Sequence, residues 1–341
     1  MSAQERVCDL RAVCRGELPY CVVVAEIGIN HNCDTDLARS LIKEAAKAGV
    51  DAVKFQAFGA SDLVSRADRV ARDLFESLEL SADQTCELVQ VASEHGVAFF
   101  ASVFSEFWID RMVELGVPVL KIASSDLTHF ALIRAAARTG LPLILSTGYS
   151  DLNEVKTAVA VAEKAGARDI LLLHCCSSYP APPEDLNLRA IQTLRDSTGL
   201  VVGFSDHSQG IEASLAAVAL GAVLIERHFT LDHDLPGPDH AASLDPQEMA
   251  SLVSRVRELE VMLGDGIKRP QPSELENRVY GRRSLVAERA IQEGEVITAD
   301  MLRAKRPGLG IPVADIGLVL GRRAARDLAV DEIIRDKDLV A

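Results

Sequence analysis

The stretch LPLILSTGYSDLNEVKTAVAVAEKAGARDILLLHC, residues 141–175, decides the fold. It opens with the apolar run LPLILST (141–147) and closes with a second one, DILLLHC (169–175). Between them, the apolar residues of DLNEVKTAVAVAEKAGA recur every three and four positions. This reads as strand, amphipathic helix and strand, and strands joined by such a crossover run parallel. Ala165-Gly166 supplies the left-handed stop expected where a helix gives way to the next strand.

Outward from this unit the same alternation continues from Tyr20 to about Leu263. Further strand-like runs are CVVVAE (21–26), DAVKFQ (51–56), VAFFAS (97–102), VPVLKIAS (117–124), LVVGFS (200–205) and AVLIERH (222–228). Segments such as LARSLIKEAAKAGV (37–50) carry the helical period, and Gly49, Gly96, Gly116 and Gly140 mark further stops. Eight βα units in roughly 250 residues predict an α/β protein built on a closed (β/α)₈ TIM barrel over residues 1–268. Neither GxGxxG after the first strand nor GxxxxGK[ST] occurs, so the usual nucleotide cradles are missing. Residues 57–80 are too many for a plain βα loop and are expected to cover the barrel mouth. A Pro-containing linker, 269–282, precedes a tail, 283–341, read as a small mostly-β domain. Two near-repeats in it, AERAIQEGEVITADML (287–302) and AARDLAVDEIIRDKDL (324–339), suggest a compact module.

The 341 residues carry a formal charge of −14, which argues against a nucleic-acid partner. The surplus lies entirely before Arg283, because the tail holds ten basic and ten acidic residues. No apolar run approaches the roughly 20 residues needed to span a bilayer, and MSAQERVCDLRAV is too polar for a secretory signal. Seven cysteines without CxxC spacing then read as reduced thiols of a cytoplasmic protein.

A barrel active site is built from the carboxyl ends of the strands. In this chain those ends carry Glu26 with Asn30 and His31, Lys54 with Gln56, Ser102, Lys121 with Ser124, Ser146 with Thr147, His174, Ser205 with His207, and Glu226 with His228. An unpaired ammonium in an apolar strand is expensive. Lys54 and Lys121 are therefore read as holding an anion, with the neighbouring hydroxyls donating to its oxygens; the competing reading is internal ion pairs and strand-end caps. His207 and His228 on neighbouring strand ends, with Glu226 nearby, suit a divalent metal whose other positions stay open to water and substrate. His233 and His240 flank LPGPD and read as solvated, Trp108 as packing, and Cys175-Cys176 as pocket lining.

Several motifs, in order, resemble the N-acetylneuraminate (sialic acid) synthase family: AEIGINHN (25–32), DAVKFQ (51–56), LKIASSD (120–126), ILSTG (144–148), LLHCCSSYPAPPEDLNL (172–188), GFSDHS (203–208), ERHFTLD (226–232), PGPD (236–239) and AKRPGLGI (304–311). The resemblance covers essentially the whole chain and includes the tail, which resembles an antifreeze-protein-like (SAF) domain. It implies condensation of phosphoenolpyruvate with an N-acylated amino sugar, N-acetylmannosamine in the first place, to give a nine-carbon keto acid and phosphate. It implies a divalent metal on His207 and His228, manganese above magnesium or cobalt. Phosphoenolpyruvate contacts carry over onto Lys54, Lys121, Ser124, Ser146 and Ser205, and active-site carboxylates onto Glu26 and Glu226. Sugar contacts carry over onto Gln56, Asp126, Tyr179, Asp239 and, from the tail, Arg306. In the family that arginine enters the other subunit's barrel, so a domain-swapped homodimer with Arg306 acting in trans is implied.

Three places depart from the family pattern. Cys33 stands where Gly is common after NHN, so a slightly different backbone is expected there. Ser102 stands for a threonine that contacts phosphate, and Ser177 stands where Asn occurs. The CysSerSerTyrPro run at 176–180 also resembles synthases for legionaminic and pseudaminic acid, which act on diacetamido-trideoxyhexoses. Two other readings are a related aldolase making shorter keto acids, against which the Arg306-bearing tail argues, and a non-catalytic carbohydrate-binding protein.

Overall fold

The computed structural model of the chain describes residues 8–340, so the reading of the first seven residues as part of a polar start lies outside the described residues. The chain divides into two compact units, Met1–Gly264 and Asp265–Ala341.

The first unit is a closed barrel of eight parallel strands in sequence order. They are β1 (Val22–Gly28), β2 (Ala52–Ala57), β3 (Ala98–Val103), β4 (Leu120–Ile122), β5 (Leu143–Ser146), β6 (Ile170–Cys175), β7 (Val201–Asp206) and β8 (Leu224–His228), with β8 pairing back onto β1. The helix between β5 and β6 runs Leu152–Ala165. Asp151 caps it by accepting from the backbone N–H groups of Asn153 and Glu154, and Glu154 returns the favour to the Asp151 N–H. It stops at Gly166, whose φ of 112° lies in the region that glycine favours. Trp108 is buried in the core between strands and helices, as its packing role requires.

Period-two alternation along the strands explains why the site lies at one end. The inward positions nearest the strand starts are apolar: Val22, Val24, Ala52, Ala98, Phe100, Ile144, Leu171, Leu173 and Leu224 form a core inside the barrel. The short helix Leu10–Cys14, absent from the sequence reading, seals that end with Leu10, Val13 and Cys14. Arg11 and Arg15 pin it to Asp169. Interior crowding is visible at Gly203, where a Cβ would sit 2.6 Å from the Leu224 carbonyl oxygen. Toward the strand ends the same inward face turns polar.

The second unit contains two antiparallel pairs, β9 (Ser284–Ala287) with β10 (Leu302–Lys305) and β11 (Arg323–Ala324) with β12 (Leu339–Val340), around its own apolar core. The two near-repeats adopt matching structure. Ile291 and Leu328, at the same place in each, bridge one another, and Gly294 and Asp331 both have positive φ. Residues 272–281, inside the stretch read as linker, form a 3₁₀ turn and the helix Leu275–Gly281. Among the described residues all seven cysteines are free thiols, and no helix is long and apolar enough to cross a membrane.

Candidate active site

A cavity of about 350 Å³ opens where the inward face turns polar. Thirteen of the sixteen residues assigned a site role from the sequence line it: Glu26, Lys54, Gln56, Ser102, Lys121, Ser124, Ser146, Ser177, Tyr179, Ser205, His207, Glu226 and His228. The covering segment 57–80 contributes Leu63, Val64 and Phe75, which with Phe104 and Ala123 form an apolar wall over the charged floor. No motif marks these apolar residues; only the length of the segment pointed to them.

The floor is a buried quartet of charges. Lys54 pairs with Glu26 and lies 3.8 Å from Glu226; Lys121 pairs with Glu226. All four side chains are at most 5% exposed. Ser205 Oγ donates to Glu226 Oε1 at 2.9 Å, and Lys54 Nζ donates to Ser102 Oγ at 3.1 Å. The two lysines are thus not bare cations. They realise the internal ion-pair reading, which leaves the quartet neutral as a whole.

The two carboxylates differ in environment. Burial favours the neutral acid at both, but at Glu226 the charges of Lys121 and Lys54 prevail and hold it far down as a carboxylate. At Glu26 burial prevails over Lys54, and its pKa rises. Neither oxygen of Glu26 accepts a well-directed hydrogen bond. Burial also lowers the pKa of Lys121, whereas at Lys54 the two glutamates outweigh burial and raise it.

His207 and His228 stand side by side, ring centroids 5.3 Å apart. His207 Nδ1 lies 2.9 Å from the Cys176 carbonyl oxygen, which can only accept. Nδ1 therefore carries a proton, and Nε2 is the nitrogen available to a metal, as is typical of a ligating histidine; burial opposes a second proton, but the contact with Cys175 prevails and raises the His207 pKa. Burial holds His228 neutral, well below the ordinary imidazole range, and its Nδ1 is buried without a hydrogen-bond partner. Two imidazoles facing a cavity, one held neutral and with an orphaned nitrogen, fit a divalent cation that keeps open positions. A different set, His233, Asp245 and Glu248, lies outside the cavity, and its carboxylates are engaged in the capping box of the helix Pro246–Leu263.

A sequence profile for the NeuB family matches residues 41–268, and one for the SAF domain matches 282–340. The chain belongs to the NeuB family. An uncharacterised protein of Methanocaldococcus jannaschii is 46% identical, covering 97% of each chain. The N,N'-diacetyllegionaminic acid synthase of Campylobacter jejuni is 40% identical over 92% of this chain and 99% of that one. The crystal structure of the N-acetylneuraminic acid (sialic acid) synthetase of Leptospira borgpetersenii superposes with a TM-score of 0.73 at 40% identity, covering 76% of this chain and 90% of that one.

Three residues carried over from this family lie away from the NeuB cavity lining. Asp126 ends a 3₁₀ turn, Ser124–Asp126, and accepts from Ser125 Oγ at 2.7 Å. Asp239 lies beside His228, its Oδ2 3.7 Å from Nδ1. Arg306 lies in the second unit, exposed, just after β10. Other strand-end polar groups serve the scaffold. Thr147 donates to the Leu173 carbonyl instead of facing an anion, and His174 is held by the Leu186 carbonyl. Asn30 donates to the Phe229 carbonyl and Ser243, tying the loop after β1 to the loop after β8. His240, read as solvated, is buried against Thr230. Cys175 lines the cavity, its sulfur 3.7 Å from His207 Nδ1; burial raises its pKa, but His207 brings it down to about 7. At Cys33 the backbone keeps the left-handed φ of 59° that suits glycine.

Proposed function

We propose that this chain condenses phosphoenolpyruvate with an N-acylated amino sugar and water, giving a nine-carbon 2-keto acid and phosphate. The observation that carries the reading is the buried Glu26–Lys54–Lys121–Glu226 quartet below a pair of adjacent histidines in a single cavity.

Lys54 and Lys121 hold the carboxylate and phosphate of phosphoenolpyruvate, with Ser124, Ser146 and Ser205 as hydroxyl donors. His207 and His228 would hold a divalent metal, manganese in the first place, which when bound supplies a Lewis acid for the aldehyde oxygen of the open-chain sugar. C3 of phosphoenolpyruvate then attacks the aldehyde carbon, and water adds at C2, where positive charge develops. Glu26, with its raised pKa, orients that water and takes its proton. Glu226 stays ionised and anchors Lys121. Collapse of the C2 adduct breaks the C–O bond and releases phosphate. The apolar wall of Leu63, Val64, Phe75 and Phe104 excludes bulk water from this sequence.

N-acetylmannosamine is the first candidate sugar. A diacetamido-trideoxyhexose is the second, favoured by the likeness to the Campylobacter jejuni enzyme. We read the sugar as unphosphorylated, because among the described residues the only lysines or arginines in the cavity lining are Lys54 and Lys121, each already facing a carboxylate. Gln56, Tyr179 and Asp239 are read as sugar contacts, Ser102 and Ser177 as further polar lining, and Arg306 as reaching the barrel of a second copy in a homodimer. The test is phosphate release with manganese, phosphoenolpyruvate and, in parallel, N-acetylmannosamine, its 6-phosphate and a diacetamido-trideoxyhexose. Turnover with an unphosphorylated sugar, abolished by a chelator, is expected. Folded protein that turns over none of them overturns the reading.

A further inference from the structure

The last cross-strand rung below the two histidines is a buried ion pair that the mechanism does not use. Asp206 and Arg227 lie opposite each other where β7 pairs with β8. Alternation turns Ser205, His207, Glu226 and His228 into the cavity and these two residues away from it, between the sheet and its helices. Both are 1% exposed, and Asp206 Oδ2 lies 2.8 Å from Arg227 Nη1.

Asp206 is saturated with donors. Its Oδ1 accepts from the Ser208 N–H at 2.9 Å and the Ser208 hydroxyl at 2.6 Å, and its Oδ2 accepts from Ser214 Oγ on the helix Glu212–Ala219. Arg227 is not saturated: its Nε is buried without a partner, and Nη1 meets the carboxylate off the line of a hydrogen bond. A buried pair with unmet donors is a poor source of stability, and apolar residues of similar volume commonly do as well or better. Its place is more telling. Each member is the immediate neighbour of one histidine, on adjacent strands, at the point where the sheet ladder ends.

We propose that Asp206 and Arg227 are positioning residues that clamp the ends of β7 and β8 and so set the separation of His207 and His228 for the cation. The clamp rests on the metal reading given above. Through Ser208 and Ser214 the same carboxylate fixes the turn that follows His207, so the imidazole is held from both sides.

The test is the double variant Asp206→Asn/Arg227→Met, which avoids leaving an unpaired buried charge, with Arg227→Lys as the conservative control. Manganese binding to the protein without substrate is measured by calorimetry and by the electron paramagnetic resonance signal of free Mn²⁺, next to thermal unfolding of the metal-free protein. The expected result is a metal-free Tm within a few degrees of the parent, an Mn²⁺ Kd raised about ten-fold or more, and partial recovery in Arg227→Lys. A double variant that binds Mn²⁺ within about two-fold of the parent overturns the clamp. So does weaker binding accompanied by a large fall in the metal-free Tm, which would make the pair merely structural. Parent protein that binds no Mn²⁺ overturns the metal reading itself and the clamp with it.

Discussion

Glu226→Gln turns the neutral quartet into a site with an uncompensated positive charge. In the parent, Glu226 receives Lys121 and Ser205 and lies within 3.8 Å of Lys54. The variant leaves two buried ammonium groups to share Glu26. Breaking a buried pair by removing one partner costs about 3–5 kcal/mol. For a unit the size of the barrel, each kcal/mol is worth about 2–4 °C, so Tm should fall by roughly 6–20 °C. The deficit should shrink as pH rises. Lys121 already has its pKa lowered by burial, so the folded variant binds fewer protons than the unfolded chain and gains stability on the alkaline side. Phosphoenolpyruvate returns the missing negative charge, so a saturating concentration should raise the Tm of the variant by more than it raises the parent's. Thermal unfolding followed by circular dichroism, with and without phosphoenolpyruvate, reads both effects. Glu258→Gln on the exposed face of the helix Pro246–Leu263 is the control, expected within about 0.5 kcal/mol of the parent. A Glu226→Gln protein whose Tm stays within the control's range, or gains no more from phosphoenolpyruvate than the parent, would refute the view that the quartet is balanced for an incoming anion.

Asp169→Asn, which frees the end-sealing helix from Arg11 and Arg15, should cost about 1 kcal/mol at neutral pH by denaturant titration. The hydrogen bond and charge of Arg15 lower the pKa of Asp169, so its contribution is complete above the ordinary carboxylate range and fades as pH falls through the lowered value; parent and variant should converge there, and a gap that persists refutes the pairing. Cys33→Gly should gain about 0.5–1 kcal/mol by relieving a left-handed φ, whereas a loss would mean that the contact of its thiol with the Glu79 carbonyl outweighs the strain. Arg306→Ala should raise the sugar KM about ten-fold with little change in that for phosphoenolpyruvate. Mixing it with Glu26→Gln should restore partial activity, and failure to recover despite proven subunit exchange refutes action in trans.

What the sequence disclosed, and what it hid, follows from the difference between placement and partnership. A strand fixes on which face each residue lies, so once the eight runs are aligned the inward ends can be read directly, and eleven of the fifteen residues named that way share one cavity. Past the strand ends this certainty lapses. In the 3₁₀ turn after β4, successive side chains step around by about a third of a turn, so Ser124 reaches the cavity while Asp126 turns to Ser125. Asp239 and His240 lie in the loop after β8, where no period exists to place them.

Partnership is harder still, because it depends on residues far apart in the chain. Lys54 and Lys121 looked like an anion cradle, yet each is met by a glutamate from another strand, and Thr147 spends its hydroxyl on a backbone carbonyl of β6. The tail shows the opposite case. There the two near-repeats meet through matching positions: the Ala287 N–H donates to the Glu332 carbonyl and the Ala324 N–H to the Glu295 carbonyl, equivalent residues in each copy. Internal repetition makes partnership legible, since each copy predicts the contacts of the other. The barrel strands, similar in pattern but each with its own polar end, offer no such guide, and that individuality is what lets eight alike units build one asymmetric site.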